Sequence, residues 1–243
     1  MSENQAETNE LDQPLSIWFI LFLPIYAAVF IGLFVFLPAG SLRWLEGWIL
    51  VGSMSLNMGL GAFVLNKKNP RALRNRMKTK KEGLTALTKK SASSDRLIMP
   101  LMAICFLGAV VVAGWGYRLN WYQLPFWVAL AGAIVVNLGE ILMLIATSQN
   151  AFASKILDIN KGQKLIDSGL YAHVRHPLYS GAILMIVFWP IALGSLWGLP
   201  MSILAGVSLI IRIHFEEEML LKGMEGYAEY RERVKYKLIP KIY

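Results

Sequence analysis

Residues 175–217, "RHPLYSGAILMIVFWPIALGSLWGLPMSILAGVSLIIRIHFEE", hold two apolar runs with charged residues at both outer ends. The runs cover about 178–194 and 196–215, and Pro190 and Gly194 interrupt the end of the first one. The stretch between them, "WPIALGSLWGLP" at 189–200, is typical of a tight turn. A helix needs about 20 apolar residues to cross a bilayer. This part of the sequence therefore predicts a helical hairpin whose two outer ends lie on the same side of a membrane.

The rest of the chain repeats this apolar character. Of its 243 residues, 56% are hydrophobic and 16% are charged, and the mean hydropathy is +0.48. Soluble domains carry about 25% charged residues, and a soluble chain with one core would not need so many runs of spanning length. We therefore expect an all-α, polytopic membrane protein of about six transmembrane helices that ends in the hairpin. The four further apolar segments are 15–38, 45–65, 97–118 and 124–148.

The distribution of charge predicts the orientation of these helices. Residues 66–96 contain eleven basic residues and two acids, Glu82 and Asp95. Basic loops stay in the cytoplasm, so alternation of the segments places both termini there as well. The loops left outside then hold only Arg43 and Arg118. The net charge of +8 is mainly a signal of topology, with contact to anionic membrane lipids as a secondary role. We do not expect a nucleic-acid partner.

Two further features concern the first 148 residues. Residues 1–13 carry four acids and no basic residue, unlike a secretory signal, and we expect a disordered acidic tail there. Residues 14–148 hold the first four predicted helices and the basic loop 66–96. The single cysteine, Cys105, lies in an apolar run and is expected to be buried, and no spacing of residues indicates a metal site.

Polar residues inside apolar segments need an explanation, because they are costly in a membrane. Glu140 follows Asn137 by three residues, so both lie on one face of the fourth predicted helix. An interhelical hydrogen bond explains this pair best, and a functional role for Glu140 stays open.

A stronger polar cluster lies at the two outer ends of the hairpin. Pro177 suits the first turn of a helix, so the first hairpin helix would begin at Arg175-His176-Pro177 and offer its positive end to an anionic group. At the other end, Arg212 and Glu216 are four residues apart, with the spacing of an ion pair on one helical face. The hairpin brings 175–179 and 212–217 together, and two polar clusters that meet in space indicate a site.

Three motifs in this half of the chain resemble the integral membrane methyltransferases, which include the isoprenylcysteine carboxyl methyltransferases and the phospholipid N-methyltransferases. They are "SGLYAHVRHPLYSG" at 168–181, "RIHFEEEMLL" at 212–221 and "GYAEYRERVKYKLIP" at 226–240. The basic loop 66–96 also looks like that of bacterial members. The resemblance covers about 150–243, and the order and spacing of the motifs make it more specific than any one of them.

This resemblance implies an S-adenosylmethionine cofactor and a lipophilic methyl acceptor that enters from the bilayer, in a protein of the bacterial inner membrane. Residues 149–243 would form the methyltransferase-like region, which includes the helical hairpin and binds the cofactor on the cytoplasmic side. Its C-terminal amphipathic helix would lie on the membrane or act as a lid. The catalytic residues would be Arg212, which faces the acceptor, and Glu216. His173 is not part of the pattern and is expected in solvent. The implied cofactor contacts are Gln163, Lys164, Leu165, Ile166, Tyr171, His176, Pro177, Leu178, Tyr179 and Glu216.

Two other functional classes are open at this stage. Sterol reductases share the Arg-His-Pro motif but use a nicotinamide cofactor such as NADPH, and they usually carry Arg-Asp-Glu and Lys-Tyr-Gly where this chain has "FEEEMLL" and "MEGYAEY". A transporter or scaffold would favour internal repeats and a polar site near mid-membrane, and the sequence shows neither a repeat nor such a site. The acceptor is also open among an isoprenylated carboxylate, an ethanolamine headgroup and a smaller lipophile.

Overall fold

A computed structural model describes residues 13–77, 95–150 and 165–243, and every regular element within them is helical. The predicted tail 1–13 and the middle of the basic loop therefore lie almost entirely outside the described residues. A four-residue 3-10 helix, Gly169–Ala172, precedes the hairpin. The α-helices are α1 (Ile17–Ala39), α2 (Leu45–Lys68), α3 (Pro70–Met77), α4 (Asp95–Arg118), α5 (Phe126–Gln149), α6 (Pro177–Ala192), α7 (Leu199–Gly223) and α8 (Tyr227–Arg233).

Five of the described helices are long and apolar enough to cross a membrane, namely α1, α2, α4, α5 and α7. The remaining predicted segment forms α6, which is apolar but has only 16 residues. Pro190 lies inside its last turn, and the helix ends two residues later at Ala192. The described residues are thus all helical, as predicted, and their long apolar helices are those of a polytopic membrane protein.

The hairpin has the predicted form. Helix α6 begins at Pro177, as the sequence indicates. Gly194 adopts a φ of +72° in the turn before α7, a conformation that glycine takes without steric cost. Gly198 lies where a Cβ atom would be 2.5 Å from the carbonyl oxygen of Ala109, so the turn packs directly on α4. The start of α6 and the end of α7 therefore lie at one end of the bundle, which we call the site end.

Side chains of the bundle divide into a core and an outer apolar surface. The core includes Val35, Leu50, Val136 and Leu193, all fully buried. Helix α1 turns a row of aromatic side chains outward, with Phe22, Tyr26 and Phe30 about half exposed. Apolar side chains that face outward over a helical bundle are suited to contact with lipid.

A polar cluster lies midway along α2 and α5. The Asn57 side-chain amide donates to Asn137 Oδ1 at 2.6 Å, and the Asn137 amide donates to Ser53 Oγ at 3.0 Å. These contacts supply the interhelical hydrogen bond expected at this position. The neighbouring Glu140 has a buried Oε2 atom with no hydrogen-bond partner among the described residues. We call Ser53, Asn57, Asn137 and Glu140 the mid-helix cluster.

Candidate active site

The Arg-His-Pro motif lies against the C-terminal tail. The Arg175 and His176 amides donate to the carbonyl oxygens of Tyr236 and Lys237, both at 2.9 Å. One turn into α6, Ser180 Oγ donates to the carbonyl oxygen of Leu238 at 2.7 Å. Pro177 has no N–H to donate, and the N–H groups of the two residues before it are both used by this tail. The C-terminal motif at 226–240 therefore lies against the Arg-His-Pro motif at 168–181.

Arg212 is held by an acid from a distant part of the chain. Its Nε and Nη2 atoms donate to the Oδ1 and Oδ2 atoms of Asp95, both at 3.0 Å. Asp95 is the first residue of α4 and is 1% exposed, and Arg212 is 5% exposed. Two parallel hydrogen bonds between charged groups fix the plane of the guanidinium. Arg212 therefore has a buried partner within the protein, which its spacing to Glu216 did not reveal.

Tyr179 connects Arg212 to Glu216. Arg212 Nη1 donates to the Tyr179 hydroxyl, which in turn donates to Glu216 Oε2. The guanidinium carbon also lies 5.6 Å from the centre of the Tyr179 ring. Side chains from α4, α6 and α7 thus form one continuous polar chain. We call Asp95, Arg212, Tyr179 and Glu216 the site network.

Glu217, the second acid of the pair, contacts a separate group of three basic side chains. Its Oε1 atom accepts from Arg175 Nε at 2.6 Å and lies 3.1 Å from His176 Nε2. Its Oε2 atom lies 3.1 Å from Lys237 Nζ. Arg175 reaches further, from Nη1 to the carbonyl oxygen of Val234 at 2.6 Å. Glu217 is 3% exposed. Its buried contacts therefore connect α7 to the start of α6 and to the C-terminal tail.

Aromatic residues close the site end. The Tyr230 hydroxyl donates to the carbonyl oxygen of Tyr171 at 2.7 Å, which ties α8 to the 3-10 helix. Burial raises the pKa of Tyr230 above its ordinary value, so the hydroxyl keeps its proton at neutral pH. Tyr227 packs beside it, and its buried hydroxyl has no partner among the described residues. The short helix α8 thus lies over the residues before the hairpin.

Most of the residues named from the sequence meet at this end. Tyr171, His176, Pro177 and Tyr179 are buried. Leu165 packs on the Tyr227 and Tyr230 cluster. His173 is exposed, as expected. Ile166 and Leu178 are partly buried. Gln163 and Lys164 lie outside the described residues.

Sequence reasoning missed three contacts of the site: Asp95, Glu217 and Lys237. Asp95 carried a usable signal, since it is an acid in a basic loop directly before an apolar run. Glu217 stood beside the predicted Glu216 and could have been included with it. Lys237 carried no signal, because its place depends on how the tail folds back.

Comparison with known proteins supports the resemblance. Residues 128–222 match the sequence profile of the isoprenylcysteine carboxyl methyltransferase (ICMT) family. Protein-S-isoprenylcysteine O-methyltransferase B of Arabidopsis thaliana is 30% identical over 128 residues, which are 49% of this chain and 60% of that protein. The resemblance to integral membrane methyltransferases is thereby confirmed for this part of the chain.

Two further similarities were found. A Delta(14)-sterol reductase of Mus musculus is 33% identical over 85 residues, which are 34% of this chain and 20% of the reductase. The matched part of the chain thus spans 20% of the length of the reductase and 60% of the length of the Arabidopsis thaliana protein. The solved structure of the eukaryotic intramembrane Ras methyltransferase ICMT aligns with 94% of this chain and 88% of its own, at 17% identity and a TM-score of 0.44.

Proposed function

We propose that this protein, which resembles the ICMT family over residues 128–222, transfers a methyl group from S-adenosylmethionine to a lipophilic acceptor. The observation that supports this most is the meeting of the Arg-His-Pro motif, Arg212, Glu216 and the C-terminal tail at one end of the bundle. Methyl transfer from a sulfonium needs proximity and alignment more than a strong acid or base. A rigid and largely buried polar site suits that requirement.

The side chains present fit the cofactor. S-adenosylmethionine supplies an activated methyl group, and the protein orients it. The Glu216 carboxylate can hold an amine or ribose hydroxyls, and the first turn of α6 can receive a carboxylate. The buried Tyr227 hydroxyl, which has no described partner, offers one more polar contact at this end. The proposed cofactor residues are Gln163, Lys164, Leu165, Ile166, Tyr171, His176, Pro177, Leu178, Tyr179 and Glu216.

His176 is a binding residue in this proposal. Its Nε2 atom lies 3.1 Å from Glu217 Oε1 within a buried group that also contains Arg175. This contact fixes the orientation of the imidazole ring, which suits a residue that binds the cofactor. Methylation of a carboxylate also removes no proton from the acceptor, so the reaction then needs no general base.

The membrane arrangement in the proposal has six spans, with α6 as the short one, and both termini in the cytoplasm. The site end then faces the cytoplasm, from which the cofactor enters, and the acceptor enters sideways from the bilayer. Helix α8 and the tail form the cover of the site. The basic residues of the 66–96 loop favour this orientation, and the bacterial inner membrane is the proposed location.

The proposed acceptor carries an anionic or amine group on an apolar body. Arg212 can face a carboxylate or phosphate, and the Arabidopsis thaliana relative is named for isoprenylcysteine. An isoprenylated carboxylate is therefore the first acceptor to test, followed by an ethanolamine headgroup.

A sterol-type reductase that uses NADPH is the second candidate, because the mouse Delta(14)-sterol reductase is 33% identical over 85 residues. The two candidates require different cofactors. Titration of each cofactor against the fluorescence of the eight tryptophans separates them: binding of NADPH in place of S-adenosylmethionine favours reduction.

The direct test uses the purified full chain in lipid nanodiscs. Calorimetry should show binding of S-adenosylmethionine, and incubation with methyl-labelled cofactor and membrane extract should yield a labelled lipophile that mass spectrometry identifies. Arg212→Ala and Glu216→Ala should abolish the label, whereas the exposed neighbour Glu218→Ala should retain it. Folded protein that binds no S-adenosylmethionine contradicts the proposal, and a wild-type protein that yields no labelled product favours a transporter or scaffold. Full turnover by both site variants overturns the roles given to Arg212 and Glu216.

A further inference from the structure

We infer that Asp95 is a positioning residue of the reaction, which sets the orientation of Arg212 toward the acceptor. This inference rests on the proposed function, because it assigns Arg212 to the acceptor. It adds a residue that lies outside the matched region 128–222, on a helix of the first half of the chain.

The contact between the two side chains is specific. Both carboxylate oxygens of Asp95 are used, each by a different nitrogen of Arg212 at 3.0 Å. This arrangement defines both the position and the plane of the guanidinium, which a single hydrogen bond would leave free to rotate. Both side chains are at least 94% buried, so solvent does little to weaken the pair.

The place of Asp95 in the fold explains why an acid is stable there. It is the first residue of α4, where the helix dipole favours a negative charge. Helix α4 packs along α7 and also receives the hairpin turn through Ala109. Asp95 is therefore carried by a rigid element that is anchored at both ends of the hairpin.

The rest of the site network depends on this orientation. With Nε and Nη2 held by Asp95, Nη1 donates to Tyr179, and Tyr179 is then turned to donate to Glu216. Without Asp95, the guanidinium would be drawn toward Glu216, the other acid of the network. Arg212 would then compete for a carboxylate that the cofactor needs, and its alignment to the acceptor would be lost.

Asp95→Glu is the variant that tests positioning. It keeps the charge of the pair but adds one methylene, so the guanidinium must shift while the buried arginine stays neutralised. A role in alignment predicts a fall of about 10-fold in kcat/KM for the acceptor, since small displacements at a reacting centre reduce rates strongly. The Kd of S-adenosylmethionine should stay close to that of the wild type. The added methylene should lower the thermal unfolding temperature, but the protein should stay folded at the assay temperature. A role limited to charge neutralisation predicts normal turnover by this variant.

Asp95→Asn removes the charge and should lower kcat/KM by about 100-fold, most of it in kcat. Glu218→Gln, which removes an exposed acid at the same end of the bundle, is the matched control and should turn over like the wild type. If Asp95→Asn does not fold, Asp95→Glu still decides the question. Wild-type kcat/KM in Asp95→Glu overturns the role of Asp95 alone, whereas a wild-type protein that transfers no methyl group overturns the proposed function together with this inference.

Discussion

The site network and the mid-helix cluster are both polar groups inside a chain of apolar helices, but they are built differently. The first joins α4, α6 and α7 through charged side chains and uses both oxygens of Asp95. The second joins α2 and α5 through neutral amides and a hydroxyl, and it leaves Glu140 Oε2 without a described partner. One lies at an end of the bundle and the other near the middle of two helices.

This difference indicates separate roles. Buried ion pairs contribute little net stability relative to apolar packing, so their presence favours a functional or specificity role. Interhelical amide contacts in membranes contribute modestly to association and need no ligand to explain them. We therefore expect substitutions near the site end to lower turnover, or to lower the free energy of unfolding because they leave a buried charge without its partner. Changes in the mid-helix cluster should alter stability alone.

The largest effect is expected for Glu217→Gln. The substitution leaves Arg175 and Lys237 without their shared acid, and Arg175 is 6% exposed. Loss of one partner of a buried pair should lower the free energy of unfolding by about 3 kcal/mol. Denaturant titration in detergent, followed by tryptophan fluorescence, measures this change.

The adjacent Glu218→Gln is its control, because Glu218 is exposed and pairs only with the exposed His214 among the described residues. It should change the free energy of unfolding by less than about 0.5 kcal/mol. Equal effects of the two substitutions would show that burial of charge does not distinguish the site end.

The next effect tests whether the two regions are mechanically linked. Gly139 lies between Asn137 and Glu140 on α5, and a Cβ atom there would be 2.6 Å from the carbonyl oxygen of Gly181 on α6. Gly139→Ala forces the two backbones apart and should lower the free energy of unfolding by about 2 kcal/mol. Because Gly181 follows Tyr179 by two residues, turnover should fall as well.

Gly52→Ala is the matched control, since nothing lies within 4 Å of the added atom. Alanine is the better helix former, so this variant should be as stable as the wild type or slightly more stable. Thermal unfolding and an activity assay on the same samples give both quantities. An unchanged kcat in folded Gly139→Ala protein would mean that the α5–α6 contact does not extend to the site.

The sequence predicted the hairpin and its consequences well, because they follow from local patterns. Pro177 and the apolar runs determine where α6 begins and where α7 returns, so the meeting of 175–179 with 212–217 needed no further information. The partner of Arg212 is 117 residues away, and hydropathy does not specify which helix packs beside α7. The sequence analysis also did not predict helix α3, because its basic residues lie in the segment 66–96 that was interpreted as a loop.

A smaller effect is expected where the C-terminal cover is attached. Tyr230→Phe removes the hydrogen bond to the carbonyl oxygen of Tyr171 and retains the buried ring. It should cost about 1 kcal/mol, seen as a rise of about fivefold in the Kd of S-adenosylmethionine if α8 covers the cofactor. Tyr236→Phe, at an exposed ring, should leave the Kd unchanged. Equal affinities for both variants would remove α8 from the cofactor site.

The smallest effect is expected for Asn57→Leu, and it tests the comparison most directly. The substitution keeps the size of the side chain but removes its hydrogen bond to Asn137 and its contact with Glu140. Asn137 keeps its contacts to Ser53 and Ala133. Membrane hydrogen bonds of this kind contribute about 0.6 kcal/mol on average, so the free energy of unfolding should fall by about that amount. The turnover rate of the folded protein should not change, because the cluster belongs to the scaffold.

Leu56→Ile, one residue earlier at an exposed apolar position, is the control and should alter neither quantity. The decisive result is the ratio of the two effects in Asn57→Leu. If turnover slows by about 10-fold or more, the activation free energy has risen by about 1.4 kcal/mol. That rise is larger than the expected decrease in the free energy of unfolding, so partial unfolding could not explain it. Such a result would make the mid-helix cluster part of the reaction, with the unpaired oxygen of Glu140 as its centre, because that atom is the one buried acceptor of the cluster that the described residues leave unsatisfied.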